Sequence, residues 1–182
     1  ELGMPGNWVF VTSNENKWLE AQRILGHALD RAELELDELQ AETVAAVALA
    51  KARAAYAQLG RPVIVEDAGI ELLGLGGFPG PFIKYWEKLG GLKSICRAVD
   101  GLGDRRVRAV CALGTCSEHG SEVVVGSIEG LLSLHPRGSN GFGWDAIFVP
   151  QGEGRTFGEM SAAEKDARSH RRRAWELLRD KL

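Results

Sequence analysis

The sequence predicts an α/β protein with a mixed β-sheet flanked by helices. Three observations point there. Short apolar runs alternate with helical patterns at the start of the chain, the order of βαβ units. Two longer runs of strand character then flank a turn at Ser117–Ser121, as a hairpin would. The last stretch, Ser161–Leu182, carries a helical pattern, in one piece or two.

In order, Trp8–Thr12 is a short apolar run and reads as a buried strand. Ser13-Asn14-Glu15-Asn16 supplies turn and N-cap residues. Trp18, Ala21, Ile24, Leu25 and Ala28 follow at helical spacing, with Gly26 weakening the end. Glu33–Leu36 alternates charged and apolar residues and predicts a strand. Alanine-rich Thr43–Leu59 predicts a helix stopped by Gly60 and Pro62.

Pro62–Val65 predicts a buried strand ending at Glu66-Asp67, and residues 68–82, rich in glycine and proline, predict a long loop. Loops of that length are often functional. Tyr85–Val99 predicts a helix interrupted near Gly90-Gly91. Val107–Leu113 and Glu122–Ile128 predict the hairpin strands, and Leu131–Leu134 can extend the sheet. Gly138–Gly143 reads as a glycine-rich loop and Ala146–Val149 as a strand. In the C-terminal helix, Ser161 with Glu164 fits a capping box.

The 182 residues fit one domain spanning 1–182, either undivided or in two lobes around a cleft. The 45% hydrophobic and 26% charged residues form a globular mixture. A net charge of −3 argues against a general nucleic-acid binder, yet allows a local basic pocket for one polyanionic ligand. No apolar run approaches the ~20 residues that span a bilayer. Glu1–Asn7 lacks the basic and apolar regions of a signal peptide. Cys96, Cys111 and Cys116 are odd in number and lack zinc spacing, so they read as reduced thiols. Together these features predict a cytoplasmic protein with neither nucleic acid nor membrane as partner.

Four segments carry candidate chemistry. Thr12-Ser13-Asn14-Glu15-Asn16-Lys17 stands between a strand and a helix. Free N–H groups and the positive dipole end there suit a phosphate, to which Lys17 would add charge. An ordinary N-cap accounts for the same residues, and the glycines of a Walker loop are missing. Glu38 and Glu66-Asp67 offer the oxygen ligands that Mg²⁺ takes together with phosphate, or else are plain surface charge. Phe142-Gly143-Trp144-Asp145 can stack on a base, or can be core aromatics beside a turn. Lys165 and Ser169 share a helical face, and with His170 and Arg171 they could meet phosphate and the acceptors of a base. A solvated basic face, continued by Arg172 and Arg173, is the alternative.

Taken in order, these segments resemble the inosine triphosphate pyrophosphatase family. The resemblance runs from Val9 nearly to the C-terminus. It includes Val65-Glu66-Asp67, Leu75-Gly76-Gly77-Phe78-Pro79-Gly80-Pro81, Gly141–Phe148, and Thr156 with Glu159-Met160. Each motif alone is weak, but four at these spacings are specific. The resemblance implies an elongated mixed α/β fold, two lobes around a nucleotide-binding cleft, and a homodimer. It implies Mg²⁺ on Asp67 and Glu38, with Asp67 as general base. Lys17, Lys84, Lys165 and, in the least motif-like helix, Lys51 become triphosphate contacts beside Thr12, Ser13 and Asn14. Phe142, Gly143, Trp144, Asp145, Ser169, His170 and Arg171 become the base side of the site.

One substrate-binding position departs from the pattern: Ala68 stands where serine or threonine is usual. The missing hydroxyl implies reduced efficiency, since one neutral hydrogen bond is worth only ~0.5–1.5 kcal/mol. The implied reaction is hydrolysis of ITP, dITP or XTP to the monophosphate and pyrophosphate. A 6-oxo base suits donors at His170 and Arg171, while adenine would leave them unpaired. The alternatives are a pyrophosphatase for pyrimidine or modified nucleotides, and a nucleotide-binding protein with little turnover, motivated by Ala68.

Overall fold

A computed structural model describes residues 7–182. Residues 1–6, most of the segment read as lacking a signal peptide, lie outside the described residues. The elements run β1 (Val9–Val11), α1 (Glu15–Leu25), β2 (Asp30–Ala32), α2 (Val44–Leu59), β3 (Val63–Leu72), β4 (Pro79–Gly80) and α3 (Ile83–Arg97). They continue as β5 (Arg106–Ser117), β6 (Gly120–Leu132), β7 (Phe148–Pro150), α4 (Ala162–Asp166) and α5 (His170–Arg179). One mixed sheet has the order β2-β1-β3-β5-β6-β7, with β4 paired to β3. β1 pairs in parallel with β2 and with β3, whereas the β3–β4 and β6–β7 pairs are antiparallel.

The chain divides into two compact units, and β3, β5 and β6 each run from one into the other. The first holds the residues up to Asp67, Cys111–Gly126 and Arg171–Leu182. Both faces of β1 and of the first half of β3 are buried, which is why they read as unbroken apolar runs. On one face Phe10 and Ile64 pack with Ala21, Trp175 and Leu178, from α1 and α5. On the other, Val9, Val11, Val63 and Val65 pack with Ala52 and Ala55 of α2. Alanines on that helix let it lie close: a Cβ on Gly114 would sit 2.5 Å from the Ala48 carbonyl oxygen. The second unit, Ala68–Val110 and Ser127–His170, has its own core around Ile70, Leu72, Ile95, Val107, Phe148, Phe157 and Met160.

Helix ends follow the expected chemistry. Asn14 and Thr43 cap α1 and α2 through their side chains, and Gly26 and Gly60 close them at positive φ. The Ser161/Glu164 capping box forms on α4, and the C-terminal helical stretch breaks in two before α5. Gly91 kinks α3.

Four expectations need correction. The Glu33–Leu36 strand is absent, and β2 lies just before it. Leu34 and Leu36 do pack against the Val9–Val63 cluster, so their alternation marks an extended segment with one buried side but no ladder. The 68–82 loop is in large part structured. β3 continues to Leu72, a 3₁₀ turn spans Leu73–Leu75, and β4 pairs back. Gly69 does not break the strand; it makes room, since a Cβ there would stand 2.3 Å from the Gly80 carbonyl oxygen. The hairpin strands are longer than expected, leaving only Glu118 and His119 between them. Finally, Asp145–Ile147 forms a 3₁₀ turn, so β7 starts only at Phe148.

Candidate active site

In the first unit, β3 sets the chemistry by its two-residue period. Glu66 follows Ile64 on the face covered by α1 and α5, and Asp67 follows Val65 on the face covered by α2. Both acids are buried, Asp67 at 6% exposure. Asp67 therefore lies within a strand, not at the exit into a loop. That placement suits a catalytic carboxylate, because a strand holds its side chain more rigidly than a loop.

Glu66 sits in a buried ion group. Arg171 Nε donates to one of its oxygens at 2.9 Å and Nη2 to the other at 2.8 Å. Arg171 Nη1 donates to Glu20 of α1. Lys17 Nζ lies 3.4 Å from Glu66 Oε1. Burial would push the Glu66 carboxyl up, but Arg171 and Lys17 outweigh it and hold it at about 2. Glu66 is thus a carboxylate at any ordinary pH.

At the start of α1, the Asn14 N–H donates to Thr12 Oγ1 at 3.0 Å and the Lys17 N–H to Asn14 Oδ1 at 3.3 Å. Asn14 is therefore a working N-cap, and the helix terminus keeps its dipole for an anion. Lys51 of α2 donates to Glu38 at 3.3 Å, both on the partly exposed side of the unit. Among the described residues, no group of three or more His, Cys, Asp and Glu side chains converges as a metal cage would. Asp67 and Glu38 offer oxygen donors of the kind that Mg²⁺ takes together with water and phosphate.

In the second unit, the loop 141–145 is folded around Asp145. Its Oδ2 accepts from the Phe142 N–H at 3.0 Å and from Lys165 Nζ at 2.6 Å. Gly141 is required by this turn, since at φ +73° a Cβ would sit 2.1 Å from that same oxygen. Lys165 also lies over the rings of Phe142, at 4.6 Å, and Phe157, at 5.6 Å. Trp144 is a core residue: its ring meets His170 at 5.1 Å and Phe148 at 5.9 Å. Phe157 stacks on His170. Phe142 is half-buried and Gly143 exposed, so they form the outer part of the loop. Ser169 and His170 are buried, and Lys84 is exposed over the Tyr85 ring. Glu87 of α3 lies near the loop, where burial and the Asp145 charge raise its carboxyl.

The structure therefore brings Lys17 to Glu66, Lys51 to Glu38, and Phe142, Asp145 and Lys165 together. Lys165, expected at the triphosphate, is held by the aromatic loop, and the guanidinium of Arg171, expected at the base, is engaged by two buried acids. Sequence reasoning missed Glu20 altogether and placed Glu66 only among the candidate oxygen ligands for Mg²⁺. The one available signal was an acid at Glu20 between Leu19 and Ala21, three residues after Lys17 and on the same helix face.

The pattern of the Ham1 family matches residues 8–181. The chain belongs to the Ham1 family. It is 38% identical over 172 residues to a protein of Methanopyrus kandleri named dITP/XTP pyrophosphatase, covering 92% of each chain. It is 39% identical over 176 residues to one of Batrachochytrium dendrobatidis named inosine triphosphate pyrophosphatase, covering 94% of this chain and 92% of the other. Among solved structures, a Ham1 protein from Coxiella burnetii superposes with a TM-score of 0.80 at 28% identity, covering 96% of both chains. The mixed sheet of this Ham1 family member is thus shared with experimentally determined relatives.

Proposed function

We propose that this protein hydrolyses non-standard purine nucleoside triphosphates such as ITP, dITP and XTP to the monophosphate and pyrophosphate. The observation that carries this reading is the kinship itself. Relatives named for that activity align with 92% and 94% of the chain. The buried carboxylates of β3, the capped helix with Lys17, and the Phe142–Asp145 loop support it.

In the proposed reaction, water attacks the α-phosphorus, the bond to the bridging oxygen breaks, and pyrophosphate leaves. Asp67 orients the water and takes its proton. Asp67 and Glu38 would hold Mg²⁺, which when bound polarises the phosphate and screens its charge. Lys17 stabilises the charge that develops on pyrophosphate. Thr12, Ser13 and Asn14 line the same helix start, and Lys51 and Lys84 are further phosphate contacts in this scheme. Phe142 offers a ring for stacking, while His170 and backbone N–H groups supply donors for a 6-oxo acceptor. Adenine presents a donor at that edge and would leave them unsatisfied. We further propose a cytoplasmic homodimer. Among the described residues no helix is long and apolar enough to cross a membrane.

A substrate panel tests the reading. With Mg²⁺ present, kcat/KM for ITP and XTP should exceed that for ATP by ~10²-fold or more. Comparable turnover of ATP and ITP would contradict it.

A further inference from the structure

The ion group in the first unit has a layout that packing alone does not require. Glu66 Oε1 faces two cations at once: Arg171 Nη2 at 2.8 Å and Lys17 Nζ at 3.4 Å. The side chains of Arg171 and Glu20 are buried at 2% and 4% exposure and that of Glu66 at 0%, whereas Lys17 reaches solvent at 19%. Three members are thus locked inside, and the fourth, the lysine at the start of α1, is held at the boundary where an anion can meet it. The fixed part is assembled from three distant stretches of chain, since Arg171 lies 105 residues from Glu66 and 151 from Glu20.

We propose that Glu66 is a positioning residue that acts through Lys17. The bidentate bond to Arg171, itself clamped by Glu20, immobilises the carboxylate, and the carboxylate fixes the ammonium of Lys17 for the departing pyrophosphate. This rests on the pyrophosphatase reading above. The physical argument is pre-organisation. A flexible lysine tethered to a rigid buried anion does not have to be ordered during the reaction. Glutamine at 66 keeps the shape but cannot offer two charged acceptor oxygens to two cations. It also removes a negative charge beside the phosphate-binding lysine, so anion binding should not weaken.

The two roles separate in a KM-against-kcat split and a double-mutant cycle on ITP with Mg²⁺. Glu66→Gln should lower kcat roughly 10- to 100-fold, the range one buried charge-assisted hydrogen bond spans. KM for ITP and the inhibition constant of inorganic pyrophosphate should stay level or fall. In a Lys17→Met background the same change should cost less than about threefold, because its intermediary is gone. Where Glu66→Gln does not fold, as judged by circular dichroism and melting, Glu66→Asp keeps the charge, shortens its reach by one methylene, and is judged by the same cycle. Folded variants whose losses multiply independently, or a Glu66→Gln protein with wild-type kcat, would overturn the proposal while leaving the pyrophosphatase reading intact. A wild-type protein that releases no pyrophosphate from ITP would refute that reading and this one with it.

Discussion

Replacing Asp145 by asparagine tests the geometry of the aromatic loop. Asp145 and Lys165 form a contact of 2.6 Å with side chains only 6% and 3% exposed. Asparagine keeps an oxygen for the Phe142 N–H, so that bond survives and the change isolates the charge. It leaves the Lys165 ammonium buried against the rings of Phe142 and Phe157. Breaking a buried pair by removing one partner costs about 3–5 kcal/mol, because the remaining charge has lost its compensation. Lys165→Met should cost a similar amount by stranding the carboxylate. The double variant removes both charges at nearly constant volume, so it should return to within ~1–2 kcal/mol of wild type. Urea titrations followed by tryptophan fluorescence would measure all four proteins, and Trp144 beside His170 makes the loop visible to that probe. Single-variant losses under about 1 kcal/mol, or losses that simply add, would refute the reasoning that this is a mutually dependent buried pair.

Two further outcomes follow from the same structure. Glu66, held at about 2 against its usual 4.5, contributes stability that is complete above pH 4.5 and lost as pH falls toward 2. At ~1.36 kcal/mol per pH unit this is about 3 kcal/mol, so wild type should lose that much more than Glu66→Gln between pH 5 and pH 2 in pH-dependent urea titrations. Equal acid sensitivity in the two would contradict it. Glu87 has the opposite sign, since its raised carboxyl is relieved by protonation on acidification. Ala68→Ser should raise kcat/KM for ITP roughly 2- to 10-fold, the value of one neutral hydrogen bond, and an unchanged value would mean that position 68 makes no substrate contact.

Where one local rule dominated, the sequence was readable. Thr43 and Gly60 bound α2 because a side-chain cap and a positive-φ glycine end a helix whatever surrounds it. The Glu66-Asp67 pair could be noticed because acids after Val63-Ile64-Val65 are costly unless they are used, and the family resemblance then singled out Asp67. Gly69 misled because glycine serves close approach as well as turns, and only the position of Gly80 distinguishes the two. Arg171 lies in a run with Arg172 and Arg173 that reads as one solvated face, yet Arg171 alone is fully buried among acids brought together by tertiary folding. No periodicity encodes a contact across 105 residues. Trp144 was legible as either a stacking aromatic or a core residue, and the choice depends on where Phe148 and His170 fall.

The most direct test is the identity of the products formed from ITP with Mg²⁺, resolved by phosphorus NMR or ion-exchange chromatography. Attack at the α-phosphorus predicts inosine monophosphate and pyrophosphate in equal amounts, lost almost entirely in Asp67→Asn. Inosine diphosphate with orthophosphate, or full activity in Asp67→Asn, would contradict the account.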